Sequence, residues 1–337
     1  VGYIRLAETH SSATGTDPKY AIRTSGALID MFQEVLYGKY KYTSFNKKWD
    51  LQTTFSQTLF QLRPQSNYVN ATTQYNVGHV YSLAQSSKFE EQLNYTFSSK
   101  VSTIAGFSYE NLNATPIAAP SIEDIDTSEP LVEQDIYYIG ANPNRDSTHV
   151  AIQQDFFNLN YYNYGAYLQT QLVPWEFLDI TLGMRYDQNT RFGGTFNPRI
   201  GFVFKPNKKI RFKLLYGSAF LAPSPQKAYA QSGSFTQTEE GVQADFFHLR
   251  NPTLDPERLR SFETSLNYFI NPNLAFSING FYTDIEDVIN FFGSVPDGFK
   301  QKLTSFQVTE LEIARNQGNQ NVYGGTARLN FLKKVGF

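Results

Sequence analysis

Hydrophobic and polar residues alternate along much of this chain, and residues 196–218 show the alternation most clearly. Every second residue from Phe196 to Phe204 is apolar, while Arg199 and Lys205 belong to the intervening set. Because successive side chains of a β-strand point to opposite faces, this period predicts a strand with one apolar face. The alternation resumes at Ile210 after a short polar turn, so the stretch is interpreted as an antiparallel hairpin.

The same pattern recurs along the chain and predicts about eleven strands. These are residues 35–44, 49–62, 89–98, 101–110, 162–172, 178–187, 196–205, 210–217, 262–268, 274–282 and 323–331. Tight turns near residues 46, 99, 174, 207 and 272 alternate with longer, loop-like connections at 63–87, 111–155, 188–195, 219–259 and 284–320. An antiparallel meander of this kind carries all its tight turns at one end of the sheet.

Two architectures fit a sheet with one apolar and one charged face. In a soluble sandwich or lectin the apolar face covers a core, whereas in a membrane barrel it contacts lipid and the charged face lines a water-filled lumen. Strands of about ten residues suffice to cross a bilayer, and long structureless loops count against a compact soluble domain. We therefore expect an all-β fold, an antiparallel up-and-down meander that forms part of a transmembrane β-barrel with short periplasmic turns and long extracellular loops.

Composition supports the membrane alternative. The 337 residues include 22 Tyr and 29 Phe, many near strand ends, where aromatic side chains form interfacial girdles. The mean hydropathy of -0.40 is compatible with a barrel, because lipid-facing and lumen-facing residues average out. A formal net charge of -2 argues against a nucleic-acid partner. The absence of Cys excludes disulfides and cysteine metal sites.

Signatures of enzymatic chemistry are lacking. The four histidines, His10, His79, His149 and His248, are scattered without the spacing of a metal or catalytic motif. We predict no enzymatic activity, no cofactor and no metal site. An acidic run could attract a cationic ligand or calcium, or could simply form a solvated extracellular loop. Its members are Glu123, Asp124, Asp126, Glu129, Glu133 and Asp135.

Candidate ligand-binding residues fall into two groups. The first consists of basic residues that the alternation assigns to the charged face, where they would line a passage for an anionic ligand or pair with carboxylates in the lumen. They are Arg185, Arg199, Arg211, Lys213 and Arg328. The second group lies in the long connections and would contact a ligand or pack the loops together: Phe246, Phe247 and His248, with Phe235, Phe291, Phe292 and Phe299 as further aromatic residues. Ordinary lumen polarity and loop packing are the alternative interpretations.

Three strings carry a family resemblance. NPRIGFVFKPNKKIRFKLLYGSAFLAPSP (197–225) combines an NPR-x-G start, a basic turn and a YG-x-AF string that ends in APSP. NPTLDPERLRSFETSLNYF (251–269) and FYTDIEDVI (281–289) follow it. Together they resemble the β-barrel of TonB-dependent outer-membrane receptors, well over residues 165–290 and loosely over the first third. Leu221 stands where the family usually has Arg, and Arg250 stands where Gly commonly precedes NP.

The resemblance implies a barrel of about twenty-two strands around a plug domain, about twice what we count. Because the N-terminus lacks signal-peptide features, we expect residues 1–337 to be a partial barrel, a fragment without plug or signal peptide. The resemblance further implies a Gram-negative outer membrane, contact with the lipid bilayer, and capture of an iron-siderophore, cobalamin or glycan ligand. Uptake would be energised by the TonB complex through the plug. A passive porin-like or adhesive barrel is the alternative.

Overall fold

The computed structural model describes residues 2–8, 27–69, 77–116, 126–128, 137–141, 149–153, 157–229, 232–238, 241–293 and 307–331. Within these ranges the chain forms strands and one short helix, α1 (Pro225–Tyr229). In chain order the strands are β1 (Gly2–Glu8), β2 (Ala27–Thr43), β3 (Trp49–Leu62), β4 (Asn67–Val69), β5 (Val77–His79), β6 (Ser82–Ser98), β7 (Val101–Thr115), β8 (Tyr137–Ala141), β9 (His149–Gln153), β10 (Leu159–Trp175), β11 (Leu178–Asn189), β12 (Gly193–Asn207), β13 (Ile210–Leu221), β14 (Ser232–Thr238), β15 (Gly241–Leu249), β16 (Glu257–Asn271), β17 (Leu274–Glu286), β18 (Ile289–Phe292), β19 (Gln307–Asn316) and β20 (Gln320–Phe331).

Eleven long strands form one antiparallel meander, which we call the wall. Its strands are β2, β3, β6, β7, β10, β11, β12, β13, β16, β17 and β20, each hydrogen-bonded to the next. Turns of a few residues join them at one end, and longer connections join most of them at the other. The short strands β1, β4 and β5 extend this sheet beyond β2. The predicted all-β meander of about eleven strands is therefore confirmed.

The register of the ladders gives the wall an apolar face and a polar face. On the apolar face Ile200 lies opposite Leu182 and Tyr216, and Leu266 lies opposite Phe212 and Ile278. The side chains of this face are uncovered: Phe196 is 60% exposed, Met184 49% and Ile278 45%. A soluble sandwich would bury these side chains under a second sheet, because exposed apolar surface on this scale is unfavourable in water. Within the described residues no second layer covers this face.

The long connections are not the loops that the sequence predicted. They contain β8, β9, β14, β15, β18 and β19, which form a second, six-stranded sheet that we call the cap. Three separate connections contribute to the cap, and two of its contacts are parallel: β14 with β8, and β15 with β19. Predicting loop-like segments at 111–155, 219–259 and 284–320 was therefore wrong for these strands. Parallel pairing between distant segments leaves no short alternating hairpin in the sequence.

One predicted connection is shorter than expected. The interval assigned to residues 188–195 is a turn of three residues, 190–192, between β11 and β12. The side-chain oxygen of Asn189 accepts hydrogen bonds from the backbone N–H groups of Arg191 (2.7 Å) and Phe192 (3.0 Å), which closes the turn. Gly193 follows with a φ of 80°, a conformation that residues with a Cβ rarely adopt.

The buried hydrophobic core lies at the long-connection end of the wall. One cluster contains Ala228, Leu254, Ile289 and Ala314, with Tyr229 packed against it. A second cluster contains Ala114, Leu159 and Tyr161, and Tyr229 contacts this cluster too. The helix α1 therefore joins the top of the wall to the connections above it. No helix in the described ranges is both long and apolar enough to span a membrane.

The NPTLDPE string at 251–257 links two of these connections through hydrogen bonds and a buried side chain. The amide of the buried Asn251 donates a hydrogen bond to the carbonyl oxygen of Ala314 (2.8 Å), and Leu254 is buried in the first cluster. The carboxylate of Glu257 accepts a hydrogen bond from the backbone N–H of Ile289 (3.1 Å). Because these partners belong to the connection between β17 and β20, the string has a structural role at a point where two connections meet.

Candidate ligand passage

A cavity of about 430 Å³ lies against the polar face of the wall between β6 and β13. Its polar lining comes from neighbouring strands of the wall. Their register places every second side chain of each strand on the same face of the sheet. The polar lining residues include Glu90, Gln92, Tyr167, Arg185, Asn197 and Arg199. The sequence singled out only the two arginines, although the same period-two pattern assigns the other four to this face.

Arg185 is held firmly within this lining. Its guanidinium donates from Nε and Nη2 to the carboxylate of Asp187, with the closest contact at 2.6 Å. The same guanidinium lies 5.5 Å from the centre of the Tyr167 ring. The two partners Arg185 and Asp187 are two residues apart on β11 and therefore share a face. Because its charge is already paired, Arg185 contributes shape and rigidity to the wall more than free positive charge.

Tyr167 connects Arg185 to the strands on the other side of the cavity. Its hydroxyl lies 3.0 Å from the side-chain oxygens of both Glu90 and Gln92, so a single O–H is shared between two acceptors. Glu90 also forms an ion pair with Lys88 (3.1 Å). These contacts join β6, β10 and β11 across the polar face, which makes this part of the wall a continuous polar network.

Glycines allow the long side chains to lie flat against the wall. A Cβ at Gly106 would overlap the ring of Tyr167, which lies directly opposite it on β10. At Gly183 a Cβ would come within 2.8 Å of the Arg199 side chain. A side chain on either glycine would therefore push its neighbour into the lumen.

The remaining basic residues predicted from the sequence follow the same face away from the cavity. Arg199 is exposed in the cavity lining, whereas Lys213, Arg211 and Arg328 are exposed closer to the tight turns. Arg211 and Arg328 belong to one row, with Asn267 and Ser277 between them. Arg211 lies 5.5 Å from the ring of Phe269. Among the described residues, the side chains of Arg199, Lys213 and Arg328 have no hydrogen-bonding or ion-pair partner.

The second predicted group lies in the cap. Phe246, Phe247 and His248 are consecutive residues of β15, opposite Glu310, Leu311 and Glu312 of β19. Phe247 is only 3% exposed and His248 7%, so both pack inside the cap rather than against solvent. The side chain of Phe246 lies outside the described part of the structure. A direct ligand contact by Phe247 or His248 would need the cap to open.

His248 sits in a mixed polar and aromatic environment. Its Nδ1 atom lies 3.1 Å from the Glu312 carboxylate, and its ring packs edge-on against Phe291 at a centroid distance of 5.0 Å. Burial lowers the pKa of His248, while the hydrogen bond and the charge of Glu312 act in the opposite direction. The neutral imidazole is therefore the form that the folded cap favours.

Several other sequence candidates lie wholly or partly outside the described residues. His10, Phe299 and the acidic run except Asp126 lie outside the described residues, and the side chains of Phe235 and His149 are likewise not described. Asp126 accepts hydrogen bonds from the backbone and the hydroxyl of Ser128. In the part of the chain that the structure describes, no three His, Asp or Glu side chains converge on a position that could hold a metal ion.

The geometry defines a class of protein. A long antiparallel meander with an uncovered apolar face, a charged opposite face and tight turns at one end is part of a large transmembrane β-barrel. A model of the family described as "TonB dependent receptor-like, beta-barrel" matches residues 3–332, and the chain belongs to this family. The apolar face is accordingly the lipid face of the wall and the polar face lines the lumen. No curated protein sequence matches the chain.

Solved structures with the same fold include a ferric enterobactin receptor, a siderophore receptor and an iron transporter. A mutant of the ferric enterobactin receptor of Pseudomonas aeruginosa is 12% identical and superposes with a TM-score of 0.63 over 91% of this chain and 42% of its own. The siderophore receptor PirA of Acinetobacter baumannii is 14% identical, with a TM-score of 0.59 over 91% of this chain and 43% of its own. The FrpB iron transporter of Neisseria meningitidis is 12% identical, with a TM-score of 0.57 over 93% and 43%. The chain thus spans less than half the length of these structures.

Proposed function

We propose that this chain is the ligand-conducting wall of an outer-membrane receptor that imports an anionic nutrient chelate, such as an iron-siderophore, by TonB-dependent transport. The observation that carries the proposal is a group of exposed cations on the lumen face that includes Arg199, Lys213 and Arg328, whose side chains have no hydrogen-bonding or ion-pair partner among the described residues. Unpaired positive charge on the wall of a water-filled passage raises the local concentration of anions.

The rest of the lumen face supports this assignment. Arg185 is neutralised by Asp187, and Lys205 is neutralised by Asp179 through a 2.8 Å ion pair. The cations without described partners are thus a subset of the lumenal charges. They extend from the cavity toward the tight-turn end, as a route through the barrel requires. Arg211 belongs to this route through its row with Arg328.

The energy source and the ligand class come from the family and its solved relatives. Membership in the TonB-dependent receptor family supports a TonB energy-transducing complex as partner, acting through a plug domain. The named relatives are receptors or transporters for iron or its chelates, which favours an iron chelate over the cobalamin and glycan alternatives. In this proposal Phe246, Phe247 and His248 shape the entrance as part of the cap, and transport needs no covalent chemistry.

Uptake of radiolabelled iron supplied as siderophore chelates tests the proposal. The full-length protein would be expressed in a receptor-deficient Gram-negative strain, as wild type and as the triple variant Arg199→Glu, Lys213→Glu and Arg328→Glu. Loss of attraction and added repulsion are expected to lower the uptake rate by about tenfold or more. The control is Lys208→Glu, a single charge reversal in the exposed tight turn after β12, which should leave uptake unchanged.

Three results would overturn the proposal or its ligand class. Unchanged uptake by the triple variant would mean that the lumenal cations do not guide the ligand. Uptake that persists after the proton-motive force is dissipated would identify a passive pore, because TonB-dependent transport needs an energised inner membrane. Uptake of labelled cobalamin or of a glycan in place of iron chelates would replace the proposed ligand class.

A further inference from the structure

The wall is split between β12 and β13 at the long-connection end. The ladder between these strands runs from Phe204 opposite Phe212 up to Arg199 opposite Gly217 and then stops. Beyond that point residues 193–198 pair with β11, and residues 218–221 pair with β16. Within the described residues, no backbone ladder closes the slot between these two segments. Everywhere else in the wall neighbouring strands pair over most of their length.

Proline explains where the slot begins. The hydroxyl of Ser218 donates to the carbonyl oxygen of Pro198 (3.5 Å), so the polar backbone edge of Pro198 faces β13. Since proline has no N–H to donate, one hydrogen bond of the ladder is lost at Pro198, the position at which pairing with β13 ends. The NPR string (197–199) therefore marks the point at which β12 and β13 stop pairing in the middle of the sheet.

A cavity of about 400 Å³ occupies the slot. Its apolar lining on the lipid face comes from Phe196, Tyr216 and Phe220, and its charged lining comes from Arg258 and Arg260 of β16. The cavity shares Asn197, Ser218, Ala219 and Phe220 with the larger cavity on the lumen side. The slot thus presents apolar and cationic groups together on a surface that otherwise contacts hydrocarbon.

The two arginines directly follow an aromatic pair on the lipid face. Along the ladder of β13 and β16, Tyr216 lies opposite Phe262, and their rings are 4.8 Å apart between centroids. Arg260 comes at the next position of the lipid face toward the long-connection end, and Arg258 follows. Aromatic rings concentrate at the boundary between hydrocarbon and head groups. Guanidinium groups directly beyond such a row face the phosphate layer of the outer leaflet.

The nearby carboxylates leave one guanidinium available. On the ladder with β17, Asp284 lies opposite Arg260 and Glu286 lies opposite Arg258, but Glu286 forms its ion pair with Arg260 (3.0 Å). Neither carboxylate lines the slot. Arg258 is exposed and has no ion-pair partner among the described residues, so it can donate to an incoming oxyanion, with Arg260 beside it. Guanidinium forks match the geometry of phosphate oxygens.

We propose that the slot between β12 and β13 is a binding site for the phosphorylated head group of an outer-leaflet lipid, with Arg258 and Arg260 as phosphate ligands and Phe196, Tyr216 and Phe220 against the acyl chains. The site rests on the membrane orientation of the wall and is independent of which nutrient the receptor imports. A bound lipid fills the slot where the backbone ladder is missing and keeps the lumen separate from the bilayer.

Native mass spectrometry of the full-length protein in detergent tests the site directly. The probe is lipid A carrying its phosphates, compared with the same lipid after enzymatic dephosphorylation. The wild-type protein is expected to retain one copy of the phosphorylated lipid. Arg258→Gln combined with Arg260→Gln should weaken this binding by about tenfold or more, because the free guanidinium of Arg258 and the neighbouring positive charge of Arg260 are both lost. Lys208→Gln, at the opposite membrane surface, is the control and should bind normally.

A second variant keeps the test independent of folding and of charge. Ser218→Phe leaves both arginines in place but fills the slot, and should also abolish retention of the lipid, while heat-modifiable gel mobility reports that each variant is folded. Equal binding of dephosphorylated lipid, or equal binding to the arginine variant, would overturn the proposal. Displacement by millimolar inorganic phosphate would identify a free-anion site in its place. Iron uptake by these variants is a separate readout and decides nothing about the site.

Discussion

The wall and the cap are built from the same kind of element but are stabilised in opposite ways. The wall leaves its large hydrophobic side chains exposed on the lipid face, such as Phe196 and Met184. The cap buries its hydrophobic residues: Ile313 is 1% exposed and Phe247 3%. The wall is therefore a fold for which the bilayer supplies the apolar solvent, while the cap and the connections around it contain an ordinary protein core.

The two regions also differ in how far apart their partners lie in the sequence. Most neighbouring strands of the wall follow one another in the chain, often after a turn of a few residues. The pairing of β15 with β19 joins segments from different connections. Local antiparallel pairing costs less loop-closure entropy than distant parallel pairing. The wall can thus form hairpin by hairpin, whereas the cap depends on the wall to bring its segments together.

Placing a charge on the lipid face of the wall is expected to have the largest effect. Ile200 lies at the middle of β12, between Leu182 and Tyr216. Ile200→Arg should destabilise the barrel by about 2–4 kcal/mol, because a guanidinium near the bilayer midplane loses its hydration. Leu266→Arg on β16 should behave in the same way. The measurement is the free energy of folding of the full-length protein into phospholipid vesicles, from a denaturant titration.

Thr181→Arg provides the matched control for this prediction. Thr181 belongs to β11 and points to the lumen face, opposite Gln171 and Gly201. The added charge stays in water there, so folding should change little. If Ile200→Arg folds as well as Thr181→Arg, the apolar face does not contact lipid, and the contrast between wall and cap drawn above fails.

Removing a buried hydrogen bond above the wall should have a smaller and more local effect. Asn251→Ala leaves the carbonyl oxygen of Ala314 without its donor and removes the acceptor for the backbone N–H of Thr253. An unsatisfied buried carbonyl costs about 1–3 kcal/mol. Hydrogen exchange of β19 should accelerate, while exchange in the wall strands stays unchanged. Asn330→Ala, an exposed position on β20, is the control.

This prediction separates a local role of the NPTLDPE string from a global one. Equal acceleration of exchange in β19 and in wall strands such as β10 would show that the wall and the connections above it unfold as one unit. Unchanged exchange in β19 would show that the contact between Asn251 and Ala314 contributes nothing to the stability of the cap.

The sequence was sufficient to predict the wall because its signals are local. Period-two alternation and tight polar turns located eleven strands and their order. The strand ends were missed where the alternation fades. Strand β6 begins at Ser82, ahead of the predicted start at Phe89, because the polar residues Gln85 and Ser87 lie on the face that is otherwise apolar. The cap was missed for a different reason. Its strands find partners in other connections, and no short-range pattern records such pairing.

The sequence predicted which side chains face the lumen but not which contacts they make. Alternation assigned Arg185, Arg199 and Lys213 to the charged face, and the register places them there. The neutralisation of Arg185 by Asp187 follows from their spacing of two on one strand. The bond of Tyr167 to Glu90 joins residues 77 positions apart, and only the register of three strands brings them together. Which cations remain unpaired is therefore information that the sequence does not contain.

Acidification should produce the smallest effect and confine it to the cap. Burial holds the pKa of His248 below its ordinary value, so the unfolded chain binds a proton at a higher pH than the folded cap does. The stabilising contribution of the neutral imidazole is complete above the unfolded pKa of about 6.5 and is lost as the pH falls toward the folded pKa. After correction for intrinsic rates, exchange of β15 and β19 amides should be modestly faster at pH 5.5 than at pH 7.5.

Exchange in the wall should not change, and His248→Gln should remove the pH dependence from the cap. If the pH dependence survives in His248→Gln, another group titrates in the cap. If the pH dependence also extends to the wall, the wall and the cap unfold as one unit. The bilayer then does not stabilise the wall independently of the buried core above it.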